Sequence, residues 1–211
     1  MSIKLKHSGG NSVSLNPPTS APTSSEVAFK LPTSDGSAGQ VLTTDGSGNL
    51  SWVSQPTGGI TQADEWRVTT YFSQQSGTIT NNWERNDTDF GLIGTGMTES
   101  SGVFTFPATG IYRVEFNLAG YKSNEQVRYG QGDIEVSTDS GSSFTDRARA
   151  YSSVSNDDTA YMSITCSCIV DVTNVSTFRV RFGLGAEASV TWEGSSTMNR
   201  TFASFIKLGD T

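Results

Sequence analysis

Few side chains in these 211 residues are of the types that carry chemistry. The single histidine, His7, sits in a polar N-terminal stretch, so a Ser-His-Asp or Cys-His nucleophile has almost no material to work with. Zinc enzymology fails for the same reason. The whole thiol inventory is Cys166 and Cys168. Two residues apart on a strand they share a face at roughly 6.5 to 7 Å, at or beyond disulfide range, and read as core thiols. Gly183, Gly185 and Ala188 form a Gly-x-Gly-x-x-Ala string, but a dinucleotide turn needs a helix next, and Ser-Val-Thr-Trp-Glu follows at 189–193. The string is a chance match. Acidic pairs at Asp87 and Asp89, and at Asp157 and Asp158, are of a type that ligates calcium, yet neither has the full spacing of a calcium loop. They read as solvated turns; a bound calcium is not indicated, and no cofactor or metal is expected. Among 21 acidic residues, no pair sits in the aromatic, sugar-stacking context that glycoside cleavage would need. No catalytic residue is assigned, and the expectation is a protein that is not an enzyme.

The elements that hold these residues follow from composition. Ser occurs 31 times and Thr 26 times beside 22 Gly, and only 17% of residues are charged. That is strand and turn chemistry rather than helix chemistry. Net charge is −7, with 14 basic residues scattered along the chain, which disfavours a nucleic-acid groove. No window approaches 18 apolar residues, so no membrane insertion is expected, and the N-terminus lacks the order of a secretion leader.

Proline splits the chain into two regimes: Pro17, Pro18, Pro22, Pro32 and Pro56 precede residue 60 and only Pro107 follows it. Residues 1–60 form a Ser/Thr/Gly/Pro-rich stretch with too few apolar residues for its own core. It reads either as a disordered tail or as an extended arm whose sparse apolar side chains dock on a partner. The attachment candidates are Ile3, Leu5, Val13, Leu15, Val27, Phe29, Leu31 and Trp52, and Asp45 to Asn49 predicts a tight turn in a small hairpin near 41–52. Residues 61–211 read as about ten short strands with period-two alternation. Tyr112, Val114, Phe116 and Leu118 share one face, as do Phe178, Val180, Phe182 and Leu184, and as do Met162, Ile164, Cys166, Cys168 and Val170. In the last strand the apolar set is Phe202, Ile206 and Leu208, with Phe205 pointing the other way. Further strands are expected at 65–72, 78–84, 102–106, 132–137, 143–151 and 189–193. The fold class is all-β, an antiparallel two-layer sandwich of jelly-roll size.

Two stretches resemble known families. Gly102-Val103-Phe104-Thr105-Phe106-Pro107-Ala108-Thr109-Gly110-Ile111-Tyr112-Arg113-Val114, with the closing Thr201-Phe202-Ala203-Ser204-Phe205-Ile206-Lys207-Leu208, resembles the C1q and tumour-necrosis-factor-like jelly roll. That resemblance covers about residues 65–210 and implies a homotrimeric knob; Phe205 is the candidate interface residue. The run from Leu31 to Trp52, LPTSDGSAGQVLTTDGSGNLSW, is similar to a segment of tail-fibre and other virion structural proteins of bacteriophages, notably marine and cyanobacterial ones, and Ile3 to Asn11 looks like the start of the same group.

What the two resemblances imply together is a structural component of a phage virion. It would be made in the bacterial host cytoplasm and displayed at the virion surface as a short tail-fibre appendage or a capsid-decorating protein. Its partners would be its own copies, shell or fibre-adaptor proteins gripped by residues 1–60, and host surface polysaccharide or protein. The alternatives are an adhesin binding host glycan at a fibre tip and, behind it, a polysaccharide-cleaving tail enzyme.

Overall fold

The computed structural model describes residues 3–6, 8–10, 12–16, 18–23, 26–55, 59–87, 89, 91–155 and 158–211, and these form fifteen strands and no helix. They fall into two units, Met1–Gly58 and Gly59–Thr211.

In the first unit β1 (Ile3–Lys6) pairs antiparallel with β2 (Ser12–Leu15), and β3 (Gln40–Thr44) with β4 (Leu50–Ser54). The β3–β4 turn is closed by the Asp45 carboxylate, which accepts the backbone N–H groups of Ser47 at 2.8 Å and Asn49 at 3.2 Å. Gly46 and Gly48 supply the positive φ that this turn demands. Beside this hairpin Lys30 makes one isolated bridge to Asn49: its N–H donates to the Gly48 carbonyl at 2.8 Å, and its carbonyl accepts the Leu50 N–H at 2.9 Å. Trp52 donates its indole N–H to the Ser34 carbonyl at 3.1 Å and lies flat on Gly36, where a Cβ would come within 2.6 Å of the ring.

In the second unit, one layer runs β13 (Ala160–Val172), β10 (Gly110–Lys122), β15 (Phe202–Gly209), β5 (Ala63–Val68), β7 (Trp83–Arg85). The other holds β12 (Thr145–Val154), β11 (Val127–Ser137) and β14 (Arg179–Trp192), with β6 (Phe72–Thr78) and β9 (Val103–Thr105) on the far side of β14 and β8 (Thr98–Ser100) beyond β9. Every pairing between these strands is antiparallel. The layers join where Gly120 of β10 meets Trp192 of β14. A Cβ at Gly120 would sit 2.6 Å from the indole, so the corner closes only around glycine.

Alternation puts Tyr112, Val114, Phe116 and Leu118 inward from β10, and Val180, Phe182 and Leu184 inward from β14. Between the layers Phe104 packs edge-on to Trp66, Trp83 and Phe182 at 5.3 to 5.5 Å, and Phe116 stacks on Phe182 at 4.8 Å. The two sets expected at 65–72 and 78–84 divide differently. β5 stops at Val68, Phe72 starts a new strand, and the chain turns at Asn82, whose φ is 64°. The expected strands at Phe178 to Leu184 and Ser189 to Glu193 are one, because β14 absorbs Gly185 to Val190 as a register shift against β6.

The last strand is inverted relative to expectation. Ala203 and Phe205 face inward, Phe205 only 1% exposed against Phe104 at 5.3 Å, while Phe202, Ser204 and Ile206 face out and Leu208 is exposed. Counting apolar residues favoured the wrong face; the opposite layer offers an aromatic slab, and the largest ring fills it. Phe205→Ala should destabilise the unit by about 3 to 5 kcal/mol in chemical denaturation, as aromatic truncations in packed cores do. A loss below 1 kcal/mol would show that this ring is not a core member.

Candidate functional site

Of the acidic groups singled out as chemistry, Asp87 is part of a structural ion pair. Asp87 accepts the Arg67 guanidinium at 2.6 Å, and Arg67, buried beneath the sheet edge, also donates to Glu84 at 2.8 Å and to Asn86. Asp89 lies in the same loop at a φ of 54°. Asp157 lies outside the described residues, and Asp158 is exposed. No three His, Cys, Asp or Glu side chains among the described residues converge as a metal shell would require. Asp64, 3% exposed, accepts N–H groups from Trp66 Nε1 at 2.9 Å, Glu65 at 2.9 Å, Met97 at 2.6 Å and Arg85 Nε at 3.0 Å. A buried carboxylate with this many donors holds β5, β7 and the 97 loop together, and its lone pairs are engaged. Asp139 closes the β11–β12 turn by accepting from Ser137 Oγ, Ser143 Oγ and the Ser143 N–H, which hold its carboxyl down at about 2.

The thiols are unpaired and sheltered. Burial, with the Asp133 charge behind it, pushes the Cys166 thiol up to about 12, and Cys166 Sγ donates to the Gly132 carbonyl at 3.5 Å. Gly183, Gly185 and Ala188 lie within β14, with no helix after them.

Phe205, expected between subunits, is inside the core, so its ring is unavailable to a second copy. A different set of side chains faces out of the same layer. Across β13, β10 and β15 the register aligns Ile169, Arg113 and Ile206 in one row, Ser167, Glu115 and Ser204 in the next, then Thr165, Asn117 and Phe202. Asn117 ties its row together, accepting from Thr165 Oγ1 at 2.7 Å and Ser163 Oγ at 3.1 Å and donating to the Arg200 carbonyl at 2.6 Å. At one end stand Ile169, 67% exposed, and Leu208, 54% exposed. At the other end Tyr121 and Tyr161 pair at 5.6 Å, with Tyr161 68% exposed. The result is a flat, mostly uncharged face, polar at its centre and apolar at both ends, with one ion pair, Arg113–Glu115. Sequence reasoning missed Ile169. The signal was the run Cys168-Ile169-Val170, in which alternation must turn one apolar residue outward.

The opposite layer presents different chemistry outward. Arg149 pairs with Asp133 and with Asp146, Arg181 pairs with Glu135 at 2.6 Å, and the Arg181 guanidinium covers the Phe144 ring at 4.0 Å. The outer face of β11, β12 and β14 is thus salt-bridged, whereas that of β13, β10 and β15 is largely uncharged.

No protein-family profile matches the sequence, and no curated protein matches it either. Solved structures do. A crystal structure of murine APRIL at pH 5.0 superposes with a TM-score of 0.52 at 14% identity, over 70% of this chain and 98% of that one. The structure of Eiger TNF from S. frugiperda superposes with a TM-score of 0.51 at 11% identity, over 72% of this chain and 95% of that one. At such identity the likeness shows the fold: the second unit is a tumour-necrosis-factor-like jelly roll.

Thiol titration tests the burial of the core pair. The folded Cys166 stays protonated to about 12 and the unfolded one only to its ordinary 9, so its contribution to stability is whole below pH 9 and is lost as pH rises from 9 to 12. At pH 8 a disulfide-exchange reagent should leave Cys166 unmodified in the native protein and label it promptly in denaturant; rapid native labelling would contradict the packing described.

Proposed function

We propose that this chain is a non-enzymatic structural protein of a bacteriophage particle. Its jelly-roll unit assembles as a homotrimeric knob on the virion surface, and its N-terminal arm mounts the knob on a capsid shell or a tail-fibre adaptor. The observation that carries this reading is the smooth face of β13, β10 and β15. Exposed Ile169, Leu208 and Tyr161 on one sheet face, beside half-buried Ile206 and Phe202, form the apolar-ended surface that copies of a chain cover for one another. The likeness of Leu31 to Trp52 to phage tail-fibre segments supports the virion setting. Asp64, Arg67, Asp133, Glu135 and Glu193 of the second unit are engaged in structural ion pairs, which supports display rather than catalysis.

A second reading, a host-glycan adhesin, is favoured by Tyr151, 61% exposed on β12 with exposed Ser153 beside it, an aromatic and hydroxyl pairing that suits a polysaccharide.

Two results test the proposal. Ile169→Asp should keep the fold, because the side chain is solvent-facing in one subunit, and should convert trimers to monomers in size-exclusion chromatography. An unchanged trimer would remove this face from the interface. Gold-labelled antibody against residues 59–211 should decorate intact particles at fixed capsid or tail positions, and unlabelled particles would overturn the virion role.

A further inference from the structure

The first unit carries a larger share of exposed apolar side chains than the second. Val27, Phe29, Leu31, Val41, Leu42, Trp52 and Val53 are all at least 37% exposed within 30 residues. Its hairpin sheet is two-stranded, β3 with β4, with the isolated Lys30–Asn49 bridge beside the start of β4, and its two margins differ.

One margin is the bare edge of β3. The Asp45 N–H donates to the Asn49 carbonyl across the hairpin, so alternation points the amides of Leu42 and Thr44 away from β4. Among the described residues no strand pairs with β3 except β4. The sequence of this edge, Gln-Val-Leu-Thr-Thr, has no charge and no proline, the devices that normally keep an edge from recruiting another strand. The edge strand β12 of the second unit, by contrast, carries Asp146, Arg147 and Arg149.

The other margin is the strip 27–31. Lys30 turns its N–H and carbonyl toward β4, so Phe29 and Leu31 turn theirs outward. Val27, Phe29 and Leu31 alternate along it with exposures of 57, 64 and 74%. It is an exposed apolar segment tied to the hairpin by that one bridge.

We infer that the arms of three copies join edge to edge, the strip Val27–Leu31 of each copy adding to the β3 edge of the next and closing a ring. This rests on the trimeric reading of the knob. Three-fold symmetry forbids β3 from meeting β3, because identical edges meet only across a two-fold axis, so the open edge must find a different strip of the same chain. Residues 27–31 are that strip. Charge permits the contact: residues 1–58 hold three lysines against Glu26, Asp35 and Asp45, so the arms do not repel, whereas the remaining 11 basic and 18 acidic residues lie in the knob. Tethering by the knob raises the local concentration of arms to about millimolar, enough for modest edges to pair. With the margins of residues 26–55 consumed between copies, mounting on the particle falls to residues 1–25.

Amide hydrogen exchange on the full-length chain, with its sedimentation mass measured in the same buffer, tests this. The outward amides of Leu42 and Thr44 should exchange at least tenfold more slowly than an open edge would. The double variant F29S/L31S should return them to fast exchange, whether it sediments as a trimer held by the knob or falls apart. A wild-type trimer with fast exchange at residues 40–44, or unchanged protection in the variant, would overturn the ring and leave the trimeric knob standing. A wild-type monomer would overturn both.

Discussion

Closure of two antiparallel layers around one aromatic slab is the constraint on which the jelly-roll unit depends. Phe104, Phe116, Phe182 and Phe205 come from four strands, and Phe182 lies within 6.0 Å of each of the other three rings. Aromatic rings bury large areas in few side chains, which suits a chain with so much serine, threonine and glycine. The slab sets the facing of each strand that contributes to it. β15 shows the rule: its inward face is the one with Ala203 and Phe205, although the other face has more apolar residues. Once the rings are inside, Phe202 and Ile206 are left on the outer surface, so the apolar outer face of β15 is a by-product of filling the core.

Polar groups are distributed to match. Around the slab, charges are matched by donors or by opposite charge: Asp64 by Arg85, Trp66 and two backbone amides, Glu193 by Arg200 and by Tyr71 at 3.1 Å. On the β11, β12, β14 face the ion pairs are laid out across neighbouring strands, where they keep that layer solvated. The proposed assembly uses the contrast between the salt-bridged face of β11, β12 and β14 and the largely uncharged face of β13, β10 and β15.

Much of this was legible in the sequence. Alternation in Tyr112 to Leu118 and in Phe178 to Leu184 is strict, and both sets lie in the core. The tight turn at Asp45 to Asn49 follows from local chemistry, and the Asp45 carboxylate closes it. What failed did so where two levels competed. Phe72 reads as the end of a strand, yet the turn at 69–71 makes it a beginning, since Val68 is needed to receive Ser195 and to donate to Thr201. In β15 local counting opposed a tertiary demand, and the slab prevailed. Ile169 was hidden in an apolar run whose middle member had to face out. The Asp64 and Arg67 networks were invisible because the partners that join them to other strands and loops lie 17 to 33 residues away.

The most direct test of the account is an experimental structure of the assembled full-length chain. The account predicts three subunits about a three-fold axis beside the outward face of β13, β10 and β15, with Ile169, Ile206 and Tyr161 losing their exposure and Phe205 remaining inside each subunit. A monomer, a two-fold dimer, or a trimer meeting through the salt-bridged layer of β11, β12 and β14 would contradict it.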